Sequence, residues 1–141
     1  MNTVRKGKRA ELIIMTRLLE HNFNVFQCLA DTEGIDCGVL GNNGRFCPIQ
    51  IKSREEFTRG DIVQIPTRYL KNIKFVAIYD ELSTQYWIIP VNQYQKMSRI
   101  FKSKDGDEYY RLSYTISNAK KLELYKGEKG IKRLSIKTKG R

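Results

Sequence analysis

The stretch GIDCGVLGNNGRFCPIQIKSR, residues 34–54, limits most strongly how this 141-residue chain can fold. Two strand-forming runs flank the sequence Asn-Asn-Gly at positions 42–44, which predicts a β-hairpin. Glycine at the third position favours a three-residue loop, because that position requires a positive φ. Gly41 would then lie opposite Arg45.

This loop length fixes the pairing register of the hairpin. Asp36 would lie opposite Gln50, with Lys52 one step along the same face, because side chains alternate between faces along a strand. Ile49 and Ile51 would share the other face. A two-residue loop would instead move Asp36 to the opposite face. In the favoured register, an acid, an amide and an amine share one face of the sheet.

Residues 5–21 predict a helix that ends near Asn22. At about 100° per residue, its apolar side chains form one broad arc. The arc consists of Ala10, Leu12, Ile14, Met15, Leu18 and Leu19, while Ile13 falls on the polar side. Glu11 lies near the middle of the arc. A buried carboxylate must be protonated, paired with a base or bound to a cation, so Glu11 is either a ligand or half of a salt bridge.

These polar residues suit metal-assisted phosphodiester hydrolysis. Mg²⁺ prefers oxygen ligands and often uses one or two carboxylates together with water and substrate phosphate. Glu11 and Asp36 would supply carboxylates, and the backbone carbonyl of Ile51 would supply a neutral oxygen. Lys52 would position or help to deprotonate the attacking water and offset the growing negative charge. The alternative is a structural Asp–Lys pair worth about 0–1 kcal/mol.

The charge balance favours a polyanionic partner, with nucleic acid first. The chain has 26 Lys and Arg against 15 Asp and Glu, for a net charge of +11, and the basic residues cluster at both ends. A solvated basic tail is the alternative. An anionic membrane surface is disfavoured, because no segment is both basic and strongly amphipathic. The residues expected at the DNA backbone are Arg5, Lys6, Lys8, Arg9, Ser53, Arg54 and Arg59.

Several other classes of site and location are disfavoured by residue usage. One histidine and three cysteines without a CxxC pair argue against zinc and against a disulfide framework. Cys28, Cys37 and Cys47 are therefore expected to be buried small hydrophobes or half-exposed thiols. We find no apolar run of about 20 residues and no signal-peptide pattern, so we expect a cytoplasmic protein without a membrane span.

The pattern along the chain predicts one mixed α/β domain with a central sheet over residues 1–125. A frayed basic tail is expected over 126–141. Trp87 is expected in a buried strand rather than stacked on a base. Residues 53–60 are expected to be polar and mobile. The predicted strands are 25–29, 35–40, 46–52, 75–79, 85–90 and 109–116, and the predicted helices are 5–21, 66–73, 91–101 and 118–125.

The motifs GID at 34–36 and IQIKSR at 49–54, after a helix beginning RKGKRAE at 5–11, resemble the PD-(D/E)XK nuclease superfamily. Archaeal-type Holliday junction resolvases and homing endonucleases of this fold are the most similar. The resemblance implies a restriction-endonuclease-like core, with a central mixed β-sheet flanked by helices. It further implies Mg²⁺-dependent cleavage of duplex or branched DNA by a dimer or higher homo-oligomer, with Mn²⁺ as a substitute metal. It assigns Glu11 as the helix carboxylate, Asp36 as the metal-binding aspartate and Lys52 as the motif lysine.

Two positions depart from the pattern of the superfamily. Gly34 and Ile35 occupy the place where a proline usually precedes the aspartate. Gln50 stands where Glu or Asp is more common, which removes one negative charge while keeping an oxygen ligand. Our first hypothesis is a Mg²⁺-dependent DNA endonuclease that uses Glu11, Asp36, Gln50 and Lys52. The second is a catalytically weak or inactive nucleic-acid-binding module on the same fold, and the third is a basic adaptor for an acidic protein.

Overall fold

The computed structural model describes residues 2–30 and 33–138. These described residues contain four helices and eight strands, with two short 3₁₀ turns between them. Their order is α1 (Thr3–Glu20), β1 (Asn24–Gln27), β2 (Cys37–Leu40), β3 (Phe46–Arg54), β4 (Ile62–Pro66), a 3₁₀ turn (Thr67–Asn72), β5 (Phe75–Asp80), β6 (Tyr86–Pro90), α2 (Val91–Met97), β7 (Ser98–Lys102), β8 (Glu108–Ser113), α3 (Ile116–Leu122), a 3₁₀ turn (Glu123–Tyr125) and α4 (Glu128–Thr138).

A five-stranded sheet in the order β1-β2-β3-β5-β6 forms the centre of the fold. The first three strands pair antiparallel, β3 and β5 pair parallel, and β5 and β6 pair antiparallel. The predicted mixed α/β architecture is therefore confirmed. The β3–β5 pairing is the only parallel one among the strands that the structure describes.

The hairpin between β2 and β3 has the predicted register. Cys37 pairs with Ile49, and the Gly41 N–H donates to the Arg45 carbonyl at 2.8 Å. Gly44 has a φ of 79°, a backbone conformation that glycine adopts without strain. Glycine at the third loop position thus permits the turn that brings Asp36 level with Gln50.

The two faces of the central sheet are covered by different elements. On one face, Ile49 and Ile51 belong to a core cluster with Ala10 of α1 and Leu134 of α4. The opposite face packs a second cluster, in which Ile78 of β5 joins residues of β4, β8 and α2. The sheet is therefore buried on both sides along most of β3.

A second sheet of three strands has the order β4-β8-β7, and it corrects two predictions. No strand was predicted over Ile62–Pro66, and β7 overlaps the end of the predicted helix 91–101. Both strands pair with β8 along its length. Cross-strand pairing of this kind decides strand formation more strongly than local propensity does, so the sequence pattern alone did not reveal it.

The C-terminal segment expected to fray is largely a packed helix. Residues 128–138 form α4, and Ile131 and Leu134 are buried in the core cluster beside α1. The boundary predicted at residue 125 therefore separates parts of one core. The remaining residues of the expected tail, 139–141, lie outside the described residues.

Other local expectations had mixed outcomes. Trp87 is buried, with 3% of its surface exposed, as predicted. Leu12 and Leu19 are exposed although they were placed in the apolar arc, whereas Ile13 packs against the core. The segment predicted to be mobile contains buried Phe57, so it is anchored.

The cysteines follow the prediction. Cys37 and Cys47 are buried, Cys28 is half-buried, and all three are free thiols. Burial raises the pKa of the Cys47 thiol to about 11, which keeps it protonated near neutral pH. Within the described ranges, no helix has both the length and the apolar character that crossing a membrane requires.

Candidate active site

Asp36 lies immediately before β2 and is 4% exposed. Its N–H donates to the Ile49 carbonyl at 3.0 Å, and its Oδ2 accepts from the Ile51 N–H at 2.6 Å. The carboxylate thus satisfies a β3 donor that pairing with β2 no longer reaches. Because the N–H and C=O of one strand residue point to the same side, the Ile51 carbonyl faces the side of β3 where Asp36 lies.

Gln50 is buried on β3, with 4% of its surface exposed. Its Oε1 is inaccessible to solvent and has no hydrogen-bond partner among the residues that the structure describes. Leaving a buried acceptor unsatisfied typically costs about 1–3 kcal/mol. Cys37 pairs with Ile49, so Asp36 and Gln50 are the two residues that directly adjoin this last pair of the hairpin.

Lys52 is half-buried two residues further along β3. The strand alternation places its side chain on the face that carries Gln50. In the parallel pairing with β5, Lys52 aligns with Ile78. Gln50 and Lys52 therefore share one face of β3, and the Asp36 carboxylate reaches β3 at the Ile51 N–H; a shared face for all three residues stays a prediction.

Glu11 approaches this group from a different direction than expected. Helix α1 packs on the face of Ile49 and Ile51, so it does not place Glu11 directly on the face of Gln50. The Glu11 side chain is 20% exposed, and its Oε1 accepts from the Lys8 Nζ at 3.1 Å. The salt-bridge alternative for Glu11 is thus present in the structure, as an exposed pair one helical turn apart.

The pKa of the Cys37 thiol is affected by the carboxylates of both Asp36 and Glu11. Burial raises the pKa of Cys37 to about 12, and the negative charges of Asp36 and Glu11 both contribute to the increase. Both carboxylates therefore act electrostatically on one atom group at the start of β2.

Asp80 is a buried carboxylate that sequence reasoning placed only in a loop. It ends β5, is 3% exposed, and aligns with Arg54 at the end of β3. Its oxygens accept backbone N–H groups of Phe57, Leu82 and Ser83. Burial acts to raise the pKa of Asp80, but these donors outweigh it, so the pKa lies below its ordinary value.

The signal for Asp80 was its position at the end of a buried strand. Parallel strands that end together bring their terminal side chains to one edge of the sheet. Asp80 fixes the loop after β3 by holding the Phe57 N–H, and that loop borders Lys52 and Arg54.

Searches with the sequence and with the structure gave different results. No protein-family model and no curated protein matches the sequence. A bacterial homing endonuclease, I-Ssp6803I, matches the structure with a TM-score of 0.64 and 20% identity, covering 97% of this chain and 94% of that one. Hjc of Archaeoglobus fulgidus, a Holliday junction resolvase from an archaeal hyperthermophile, matches with a TM-score of 0.54 and 12% identity, covering 84% and 96%.

Both similar structures are PD-(D/E)XK-type nucleases. The chain has the PD-(D/E)XK nuclease fold. The predicted restriction-endonuclease-like core is thereby confirmed. In this PD-(D/E)XK fold, GID directly precedes β2, and IQIKSR forms the second part of β3.

The basic residues predicted to contact DNA fall into two groups in the PD-(D/E)XK fold. Arg5, Lys8 and Arg59 are exposed, and Lys6 and Ser53 are half-buried. Arg9 forms an ion pair with Glu81, which follows β5. Arg54 donates its Nε to the Ile62 carbonyl and its Nη1 to the Ser53 carbonyl, both at 2.7 Å.

These contacts give Arg9 and Arg54 structural roles that were not predicted. Arg9 joins α1 to the end of β5, and Arg54 joins the end of β3 to the start of β4. Both partners lie far from the arginine in sequence or on another strand, so spacing along the chain does not reveal them. Of the exposed cations, Arg5 and Arg59 form no ion pair within the described residues, whereas Lys8 pairs with Glu11.

The predicted ligands, which lie on α1, before β2 and on β3, are chemically suited to a hard divalent cation. Over residues 2–30 and 33–138, no three side chains of the His, Cys, Asp and Glu types form a metal-binding group. The donors present are instead two carboxylates, the Gln50 Oε1 and the Ile51 carbonyl. All four are oxygens, as Mg²⁺ prefers, and the unpartnered Gln50 Oε1 is an acceptor that a cation would satisfy.

Proposed function

We propose that this protein is a metal-dependent endodeoxyribonuclease that hydrolyses phosphodiester bonds. The observation that carries the proposal is the buried Gln50 Oε1, which has no hydrogen-bond partner among the described residues, on the strand that also engages the buried Asp36 carboxylate. The same fold in a homing endonuclease and in a Holliday junction resolvase supports it. A buried amide without a partner is costly, and a ligand that binds there would recover that cost.

Mg²⁺ would be held by Asp36, Glu11, the Gln50 Oε1 and the Ile51 carbonyl, with Mn²⁺ as a substitute. When bound, it would supply Lewis-acid stabilisation of negative charge on the scissile phosphate. The Lys8–Glu11 pair is exposed on the lysine side, and such pairs contribute little to stability. Glu11 can therefore exchange Lys8 for a cation at low cost.

Lys52 would act at the scissile phosphate. Its Nζ carries positive charge along the face of Gln50, where it offsets negative charge that develops on the phosphoryl oxygens. As a hydrogen-bond donor, it also orients the attacking water or assists its deprotonation. Because the Lys52 backbone belongs to β3 and is held between β2 and β5, the position of the amine is set by the sheet rather than by a loop.

The net charge of +11 supports DNA as the substrate. Arg5, Lys6, Lys8 and Arg59 would hold the phosphate backbone, with Ser53 next to Lys52. Cleavage of both strands requires two such sites, so we propose that two or more copies act together in the cytoplasm. DNA affinity is expected to fall steeply with salt, because each phosphate contact releases counterions.

The direct test is cleavage by the purified protein of supercoiled plasmid, linear duplex and four-way junctions. With Mg²⁺ or Mn²⁺ the wild type is expected to cleave at least one of these substrates, and EDTA is expected to stop it. Asp36→Asn keeps an oxygen acceptor for the Ile51 N–H, so it should fold while losing cleavage. Undiminished cleavage in EDTA or by Asp36→Asn would contradict the proposal.

A non-catalytic DNA-binding module is the second candidate. The neutral side chain at Gln50 favours it, together with the missing three-residue metal group in the described parts of the chain. In that case Asp36→Asn would bind DNA as the wild type does. The wild type would also cleave none of the three substrates with any divalent metal, which separates the two candidates in one assay.

A further inference from the structure

The three-stranded sheet carries a polar surface that the proposed reaction does not use. Its inner face packs against the core through Val63 and Ile65 of β4 and Leu112 of β8. Side chains on the outer face follow from the register, since cross-strand partners share a face. The row Gln64–Arg111–Arg99 runs across the three strands, beside the row Pro66–Tyr109–Phe101.

Arg111 is held in a defined orientation on this outer face. Its guanidinium lies 3.6 Å from the centroid of the Phe101 ring. Its Nε and Nη2 donate to the Gln64 Oε1 at 3.3 and 3.1 Å. The far end of the guanidinium and the amide nitrogen of Gln64 make no further hydrogen bonds within the described residues. The Arg111 guanidinium thus presents its remaining N–H donors outward. Because its orientation is already fixed, it loses little conformational freedom when a ligand binds.

The charge of the outer face is positive. Arg99 is exposed on the edge strand β7, and neither Arg99 nor Arg111 forms an ion pair within the part of the chain that the structure describes. The two rows and the flanking pair of Ile62 and Ser113 contain no carboxylate. A binding partner for this face should therefore be anionic and should present hydrogen-bond acceptors.

We propose that the outer face of β7 and β8, with Gln64 of β4, reads base edges in the major groove of duplex DNA. This inference rests on the proposed function, because it takes DNA as the ligand. The major groove admits a two-stranded β-ribbon, and β7 and β8 form such a ribbon at the free edge of the sheet. Arginine forks pair with guanine there, and the amide nitrogen of Gln64, whose Oε1 is engaged by Arg111, can donate to an acceptor on a neighbouring base edge. The major groove of duplex RNA is too narrow for side chains to read.

The small sheet is connected directly to the candidate active site. The Arg54 Nε on β3 holds the Ile62 carbonyl at the start of β4, and Tyr94 donates its hydroxyl to backbone carbonyls of both β4 and β8. A duplex seated on the outer face would thus lie on a sheet that Arg54 joins to β3, the strand that carries Lys52. The inference assigns the protein to cleavage at chosen sequences rather than at branched structures.

The test is selection of bound duplexes from a randomised library in EDTA, where the proposed nuclease does not cut. The wild type is expected to enrich one sequence motif. Arg111→Ala and Arg111→Lys should each reduce the preference at one guanine by about tenfold or more, because lysine keeps the charge but lacks the fork. Thermal unfolding of each variant confirms that it is folded.

Arg99 and Lys102 provide a matched pair on the same strand. Both are exposed cations of β7, but the alternation of the strand places only Arg99 on the outer face. Arg99→Ala should change the enriched motif, whereas Lys102→Ala should lower affinity for all sequences equally or leave it unchanged. An unchanged motif in Arg99→Ala and Arg111→Ala overturns the inference.

Absence of any motif for the wild type would overturn the inference as well. Its failure is distinguishable from failure of the proposed function. A protein that cleaves plasmid or four-way junctions with Mg²⁺ but enriches no sequence is a nuclease without base readout by this sheet. A protein that enriches a motif but never cleaves DNA would support base readout by this sheet and contradict the proposed nuclease activity.

Discussion

The two faces of strand β3 are both largely buried, but they are buried in different ways. Ile49 and Ile51, which are 0% and 7% exposed, pack among apolar side chains of α1 and α4. Gln50, which is 4% exposed, lies between them in sequence and faces the other way with an unpartnered oxygen. One face gains from dispersion and exclusion of water, whereas the other carries a polar group at a cost in stability.

The polar atom, rather than the burial, distinguishes the two faces of β3 as candidate sites. Burial alone does not distinguish the two faces. The informative observation is a buried polar atom that the protein leaves unsatisfied, beside a carboxylate that it holds in place with a backbone donor. Apolar residues would pack at Gln50 without that cost, so we infer that the amide is retained for a ligand.

The largest expected effect is the loss of DNA cleavage when Lys52 is removed from the polar face of β3, the face that carries Gln50 and Lys52. Lys52→Ala should reduce DNA cleavage by about 10²–10⁴-fold, the range typical for removal of a group that moves or orients a proton. DNA affinity should change little, because the exposed cations of α1 and Arg59 remain. The measurement is single-turnover cleavage together with a binding titration.

Lys74→Ala is the matched control for this lysine. Lys74 is exposed and precedes β5, beside the opposite end of β3. Its removal should leave the cleavage rate unchanged. Equal cleavage rates for Lys52→Ala and Lys74→Ala would contradict a specific role for Lys52 in cleavage.

On the apolar face, a substitution should affect stability rather than chemistry. Ile49→Ala should lower the free energy of unfolding by about 2–5 kcal/mol, as expected for a fully buried isoleucine. Urea unfolding measures the loss. Cleavage per folded molecule should stay near the wild-type value at a temperature where the variant is folded, and a specific loss of cleavage would show that the two faces are not independent.

The smallest expected effect concerns the helices that cover the apolar face. A hydrogen bond to the Arg17 carbonyl and an ion pair with Glu128 of α4 raise the pKa of His21 above its ordinary 6.5. The protonated ring therefore stabilises the fold fully below pH 6.5, and this contribution is lost as pH rises through the higher folded value. Its size should be well under ~1 kcal/mol, because Glu128 is exposed.

His21→Gln tests this effect. Its deficit in unfolding free energy, relative to the wild type, should be larger in mildly acidic than in mildly alkaline buffer. Glu128→Gln should show the same trend at reduced size. A deficit that grows with rising pH would contradict the assignment of a protonated His21 between α1 and α4.

The hairpin was predictable because local rules decide it. Gly44 permits the loop, the loop sets the register, and the register brings Asp36 level with Gln50. The first helix was predictable in its bounds but not in every contact, since Ile13 packs against the core and Leu12 is exposed. A helix wheel does not show how far the neighbouring elements extend around the helix.

Long-range pairing accounts for what the sequence did not reveal. Strands β4 and β7 form because β8 lies between them, and β8 is distant from β4 in the chain. Arg9 and Arg54 were predicted at DNA, but partners on other elements engage them, Glu81 and the Ile62 carbonyl. The face of β3 that α1 covers depends on the packing of the whole sheet. Local sequence patterns therefore could not predict that Glu11 lies on a helix opposite the face of Gln50.

We propose that the face of β3 that carries Gln50 and Lys52 binds a divalent cation. Thermal unfolding of the wild type with and without Mg²⁺ measures this binding. A ligand that binds only the folded state raises the unfolding temperature. We predict that Mg²⁺ raises the unfolding temperature of the wild type but not that of Gln50→Leu, which should be at least as stable as the wild type without metal. Equal responses of the two proteins to Mg²⁺, or none in the wild type, would contradict the account.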